Sequence, residues 1–296
     1  MNETPVIIEN LRRRYGRLDA VSGLSLTVPR GSILALVGPN GAGKTTTLKV
    51  TVNLLRPSAG RATVLGKDSR RLNWRDFQRI GYVSENQRLP EFMTVRQFLN
   101  FCQTLYPAWD AAFAGELRRQ FDLADDDRLL GHLSRGMRMK AALLSSLAYR
   151  PRLLVLDEPF SGLDAVVREE VSRAILQFVR DEDWTILITS HDIDEIERLA
   201  DRVAIMREGA LTVNESVESL QARFRRVQVT LPAAAPLTVG WPREFLRVEQ
   251  NGARLAFITS AYESDEKLRT ALPANSQVES LTMPLREIYI ALNQTN

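Results

Sequence analysis

Lys44, Thr45, Asp157, Glu158 and His191 are the side chains whose types and spacing suggest phosphoryl chemistry. Lys44 and Thr45 belong to the run Gly38-Pro39-Asn40-Gly41-Ala42-Gly43-Lys44-Thr45-Thr46. This run fits the pattern Gly-x-x-x-x-Gly-Lys-Thr and follows the apolar stretch Ile33–Val37. A strand that feeds a glycine-rich turn and then opens a helix leaves a concave row of backbone N–H groups at the positive end of that helix. Such a row suits a triphosphate. Lys44 is expected to reach the β- and γ-phosphates, and Thr45 to offer its hydroxyl to Mg²⁺. An ordinary glycine turn is the weaker reading, because the full pattern stands directly behind a strand.

A phosphate loop also needs an acid for Mg²⁺ and a group to orient the attacking water. Asp157 ends the apolar run Leu153–Leu156, where an open α/β sheet places its ligand crevice. It is expected to hold Mg²⁺ through water, with Glu158 as general base or water-orienting group. His191 closes the next apolar run, Thr185–Thr189, so its imidazole is expected in the same crevice, near the γ-phosphate and the water.

The elements that must position these groups are legible from periodicity. Val6–Ile8 and Leu24–Val28, with turns at Tyr15-Gly16 and Pro29–Gly31, predict an antiparallel edge. A helix is expected from Gly43 to about Leu55, ended by Arg56–Gly60, and a strand at Ile80–Val83. From about Thr94 to Tyr149 the pattern is helical, with Phe98, Phe101 and Leu105 at spacings that predict one buried face. The helix after Asp157 carries Val167, Val171, Ala174, Ile175 and Phe178 on one side. Alternating buried strands and helices predict an α/β sheet, and the helical block at about 86–150 predicts a lobe of its own.

Beyond about Leu220 the pattern changes, which predicts two domains, 1–220 and 221–296. A strand at Arg226–Leu231 is stopped by Pro232, and Pro232–Pro236 reads as a connector. Phe245–Gln250 and Ala253–Ile258 flank Asn251-Gly252, a strong hairpin signal. A helix near Ser264–Leu272, a strand near Gln277–Met283 and a helix from Pro284 complete a small α+β appendix with no visible chemistry.

Composition narrows the class. The net charge of +3 and the short runs Arg12–Arg14 and Arg225-Arg226 argue against a nucleic-acid partner. One cysteine, Cys102, excludes an internal disulfide and gives no zinc spacing; an apolar filler on a helix is expected. No apolar stretch approaches the roughly eighteen residues of a membrane span, and no signal peptide is evident, so a cytoplasmic location is expected.

Taken together, the motifs resemble those of the ATP-binding subunit of an ABC transporter, over about Val6 to Val217. Gly38–Thr45 is similar to the Walker A loop, Leu153–Glu158 to the Walker B strand with its glutamate, Ser161-Gly162-Leu163-Asp164 to the D-loop, and His191 to the switch histidine. Tyr15 falls where the family stacks an aromatic ring on adenine. Leu133-Ser134-Arg135-Gly136-Met137 occupies the signature position. The resemblance implies a P-loop NTPase cassette with a mixed sheet core, an antiparallel β edge and a helical lobe. It also implies two cassettes paired head to tail around two ATP molecules, each held between one subunit's Gly38–Thr46 and the other's signature residues Ser134 and Gly136, with Asp164 of the D-loop also expected among the nucleotide-binding residues. Ser134 suits an N-cap of a helix toward Ala148, whose positive end would face a partner's γ-phosphate.

Two motifs depart from the family pattern. The usual signature Leu-Ser-Gly-Gly-Gln is altered at Arg135 and Met137. The Q-loop glutamine aligns with Glu85, which could also ligate Mg²⁺, while Gln87 is the alternative for that role. Ser134–Met137 and Pro107–Asp110 resemble bacterial, often exporter-like subunits whose membrane partner is a separate polypeptide, and Pro284–Ile290 resembles their tail helix. The resemblance thus implies an ATPase that drives a separate permease from the inner face of the membrane, as a homodimer or with a paralogue. A soluble ABC ATPase acting on ribosomes or DNA is the rival. It is disfavoured because neither a second cassette nor an inserted coiled coil is present. A silent regulatory subunit is disfavoured by intact Lys44, Asp157, Glu158 and His191. Substrate and direction stay open.

Overall fold

The computed structural model describes residues 4–123, 127–182, 184–232 and 241–293, with 178–182 as backbone only. The chain forms two compact units, Met1–Asp192 with Leu199–Asn214, and Ile193–Arg198 with Glu215–Asn296.

The first unit begins with β1 (Val6–Tyr15) and β2 (Leu18–Val28), antiparallel to one another, followed by β3 (Ile33–Val37), α1 (Lys44–Thr51), β4 (Ala59–Val64), β5 (Lys67–Asp68), α2 (Trp74–Phe77) and β6 (Ile80–Ser84). Helices α3 (Val95–Leu105), α4 (Ala111–Gln120) and α5 (Arg135–Leu147) make the helical block. Then come β7 (Leu153–Asp157), α6 (Ala165–Glu182), β8 (Thr185–Ser190), β9 (Arg202–Arg207) and β10 (Ala210–Ser216), while α7 (Ile193–Leu199), between β8 and β9 in the chain, falls almost wholly in the second unit. Strands β2-β1-β4-β5 form one sheet and β10-β9-β3-β8-β7-β6 another. From β9 to β6 the larger sheet is parallel, as its uninterrupted apolar strands require.

Every residue of β3, β7 and β8 is buried. Each large aliphatic side chain so buried contributes roughly 1.5–3 kcal/mol. Leu34, Leu36, Val155, Leu187 and Met206 of the parallel sheet share a core with Leu48 of α1 and with Val6, Ile8, Val21 and Leu26 of the antiparallel sheet. The phosphate-loop strand and helix are therefore clamped on a rigid base.

Two expectations need correction. The first helix stops at Thr51, not Leu55, because the chain turns through Asn53 at φ 58°. On α3 the buried residues are Val95, Phe98, Leu99 and Cys102, whereas Phe101 and Leu105 are exposed. Phe101 falls one position off the buried stripe, and Leu105 sits in the last turn. A reciprocal capping box between Thr94 and Gln97 sets the helix start and hence the face it buries. Cys102 is indeed a packed filler, and burial pushes its thiol up to about 11. On α6, Val171, Ala174 and Ile175 are buried and Val167 is half-buried; the side chain of Phe178 lies outside the described residues.

The second unit adds α8 (Val217–Arg223), β11 (Arg225–Thr230), β12 (Phe245–Asn251), β13 (Arg254–Thr259), α9 (Asp265–Thr270), β14 (Gln277–Thr282) and α10 (Leu285–Asn293). Its sheet runs β12-β13-β11-β14 and buries Val227, Val229, Leu255 and Phe257 with Leu268 of α9 and Leu272 just after it. The Asn251-Gly252 turn joins β12 and β13 as expected, with Gly252 at φ 59°. Within this unit the Glu197 carboxylate of α7 accepts from Gln221 Nε2 at 2.8 Å and from Leu285 N at 2.9 Å. Of the connector expected at Pro232–Pro236, all but Pro232 lies outside the described residues.

Candidate functional site

The parallel register brings several strand ends to one level. Ser84 pairs with Asp157, Asp157 with Thr189, and Val37 with Ser190. The loops that leave these ends therefore meet along one edge of the sheet. Gly43 precedes α1 at φ 103°, and no side chain caps that helix, so its first N–H groups face outward. A Cβ at Gly43 would stand 2.3 Å from the Ala20 carbonyl oxygen, so glycine is required twice over.

Lys44 is buried, with its ammonium donating to the carbonyls of Gly38 at 2.7 Å and Pro39 at 3.3 Å. It also lies 3.2 Å from Glu158 Oε1. Thr45 Oγ1 donates to Asp157 Oδ1 at 2.8 Å, and Thr189 Oγ1 donates to the same oxygen at 2.9 Å. Burial pushes the Asp157 carboxyl above the ordinary carboxylate range; the two threonine hydroxyls oppose that shift and the Glu158 charge adds to it.

Glu158 adopts φ 53°, a left-handed conformation that costs a non-glycine residue about 1–3 kcal/mol and persists only where its surroundings enforce it. Those surroundings are specific. Its N–H donates to Thr189 Oγ1 at 3.0 Å, and its Oε2 accepts from the His191 backbone N–H at 3.2 Å. The same oxygen stands 2.7 Å from His191 Nδ1. The Glu158 carboxylate is thus fixed between a buried ammonium and a half-exposed imidazole.

These groups border a hollow of about 410 Å³. It is lined by Asn40, Gly41, Ala42, Gly43, Lys44, Thr45 and Thr46, by Asp157, Glu158 and Glu85, and by Tyr15, Leu18 and Ala20. Tyr15 presents an exposed ring with the Arg13 guanidinium 4.6 Å from its centroid. Glu85 borders both this hollow and a neighbouring one, whereas Gln87 borders only the neighbour.

Ser134, Gly136 and Asp164 do not line the phosphate hollow of their own chain. Ser134 Oγ caps α5 by accepting from Met137 N at 3.2 Å. Asp164 Oδ1 caps α6, accepting from Val166 N at 3.0 Å and Val167 N at 2.9 Å. Sequence reasoning missed Thr189, Leu18, Ala20 and Asn86. Thr189 carried a signal, as a polar residue inside an otherwise apolar buried strand. Leu18 and Ala20 come from the start of β2 and Asn86 from the loop after β6, and only the folded chain reveals their approach to the hollow.

Among the described residues no group of three or more His, Cys, Asp or Glu side chains is arranged to hold a metal. A hydroxyl and a carboxylate converging at 2.8 Å are hard oxygen donors of the kind that share Mg²⁺ with substrate phosphates rather than enclosing it.

The family model described as ABC transporter matches residues 21–161. Daunorubicin resistance ATP-binding protein DrrA3 of Streptomyces coeruleorubidus is 33% identical over 300 residues, covering 98% of this chain and 90% of that protein. The chain belongs to the ABC transporter ATP-binding family. It is an ATPase subunit of the ABC cassette fold, as the resemblance implied. Sulfate/thiosulfate import ATP-binding protein CysA of Escherichia coli K12 is 34% identical over 210 residues, 68% of this chain and 57% of that protein. A solved ATP binding subunit of an ABC transporter superposes with TM-score 0.67 at 25% identity, over 74% of this chain and 92% of that one. A dimeric bacterial ABC transporter cassette gives TM-score 0.65 at 20% identity over 72% and 98%, a likeness of fold.

Proposed function

We propose that this ABC ATPase binds ATP and Mg²⁺ in the hollow over Gly38–Thr46 and hydrolyses ATP only when a second cassette closes on it. Lys44 exchanges its loop carbonyls for the β- and γ-phosphates. Thr45 and Asp157 hold Mg²⁺, which supplies charge neutralisation at the phosphates when bound. Tyr15 stacks on the adenine. Glu158, released by Lys44 and oriented by His191, accepts the proton of the attacking water. Glu85 occupies the Q-loop position.

The single observation that carries this reading is the separation of two half-sites. Lys44, Thr45, Asp157 and Glu158 converge on one hollow, and Ser134, Gly136 and Asp164 of the same chain stand away from it. Two copies paired head to tail, or this chain with a paralogue, supply the missing half to each other. The cassette works on a separate membrane permease, a reading supported by its likeness to a solved ATP binding subunit of an ABC transporter. It sits at the inner membrane face through that partner. Its direction is export: a relative that it matches along nearly its whole length is named for daunorubicin resistance, whereas a sulfate/thiosulfate import subunit matches through 68% of this chain. The second compact unit, Glu215–Asn296 with Ile193–Arg198, is a separate small domain rather than one beginning at residue 221.

The decisive experiment is sedimentation of Glu158→Gln with saturating ATP and Mg²⁺. A stable ATP-bound dimer is expected, with hydrolysis lowered by about a hundredfold or more. A variant that stays monomeric and hydrolyses at the parent rate would remove the mechanism.

A further inference from the structure

Both departures from the family pattern meet in space. Glu85 donates its backbone N–H to the Asp157 carbonyl at 2.9 Å, which anchors it to the strand end that also carries Glu158. Its carboxylate is the third acid at the rim of a hollow that must receive a triphosphate, and like charges at this range oppose nucleotide entry. Arg135, first residue of α5, brings Nη2 to 3.5 Å from Glu85 Oε1 and to 3.5 Å from Ser161 Oγ. Its guanidinium lies over Gly162, where a Cβ would fall 2.6 Å from Nη1; Gly162 also needs its φ of 66°. One planar side chain thus ties the start of α5 to the loop after β6 and to the loop before α6.

We propose that Arg135 is a positioning residue that neutralises Glu85 and fixes its carboxylate, so that the two departures form a matched pair tuning ATP affinity. The inference rests on the proposed nucleotide site. The geometry favours positioning over stability: Arg135 is 47% exposed and Glu85 27%, and exposed ion pairs add little to folding. Freed of Arg135, the carboxylate would turn toward the phosphates. A neutral glutamine at position 85 would have no such effect, so the need for Arg135 depends on the charge at Glu85.

The test is a double-mutant cycle on the full chain, Glu85→Gln, Arg135→Ala and both, read as ATP KM and kcat with equilibrium ATP binding. Arg135→Ala is expected to raise KM by about tenfold with a smaller change in kcat, and the double variant to return to within about threefold of Glu85→Gln, a coupling typical of touching residues. Arg135→Lys should recover part of the loss. Melting temperatures of the four proteins should agree, which separates positioning from unfolding. An equal KM penalty for Arg135→Ala in both backgrounds would overturn the pair, since a guanidinium serving only a partner's nucleotide gives that result. Equal coupling of Arg138→Ala to Glu85→Gln would overturn it too, because Arg138 borders the adjacent hollow. Lys44→Ala serves as the reference for the site itself. If the parent binds ATP no better than Lys44→Ala, the nucleotide site is misplaced; if it binds and the cycle is additive, only the pairing fails.

Discussion

The edge of the parallel sheet and the interior of the second unit are built on opposite terms. At the edge, Lys44, Asp157, Thr189 and Ser190 are buried polar groups, Asp157 is held against its desolvation, and Glu158 is held in a left-handed backbone. In the second unit, Val227, Val229, Leu255 and Phe257 pack as apolar layers, and its ion pairs, such as Arg286–Asp194 at 2.9 Å, lie outside. One region gives up stability to hold charge ready, and the other accumulates it. The contrast locates chemistry independently of any motif.

Three substitutions probe the contrast, the largest effect first. Asp157→Asn should lower ATP turnover by about a hundredfold or more, yet stabilise the nucleotide-free fold. The sign follows from linkage: folding raises this carboxyl's pKa, so the folded chain binds the extra proton, and stability falls as pH rises from the ordinary carboxylate pKa to the folded one. Thermal melts of parent and variant across acidic to neutral pH check it; the variant should lose that decline. Phe257→Ala, at 2% exposure, should cost the second unit about 3–5 kcal/mol in denaturant melts while turnover per folded molecule holds. A parallel fall in turnover would erase the distinction between the regions. Ser134→Ala should cost about 1 kcal/mol through loss of the α5 cap. Its ATPase assay should show a deficit larger than that stability loss explains, if the serine also serves a partner's nucleotide.

Much of this was legible in the sequence. The glycine run behind Ile33–Val37, the acids after Leu153–Leu156 and the Asn251-Gly252 hairpin are local signals, set by residues adjacent in the chain. Two kinds of information were not local. On α3 the spacing of Phe98, Phe101 and Leu105 fits a stripe as well as Val95, Phe98, Leu99 and Cys102 do, and only packing chooses between them. Arg135 and Glu85 read separately as two departures from a pattern. Their contact arises because β6 and β7 are neighbours and α5 ends where β7 begins, a consequence of sheet order. The backbone of Glu158 is likewise imposed by Thr189 and His191, from a strand some thirty residues away.

Strand β3 lies between β8 and β9, with Ile33 beside Ile186 and Leu34 beside Arg202. Synthesis therefore makes the phosphate-loop strand early and leaves it without a neighbour in its sheet until the chain has passed residue 185. Closing so long a separation is slow and exposes an apolar strand meanwhile. A ribosome-bound chain short of β8 carries the complete loop Gly38–Thr46 before its strand has a hydrogen-bonded neighbour. Strand β3 thus gains its first sheet neighbour only with β8, the strand that leads to His191.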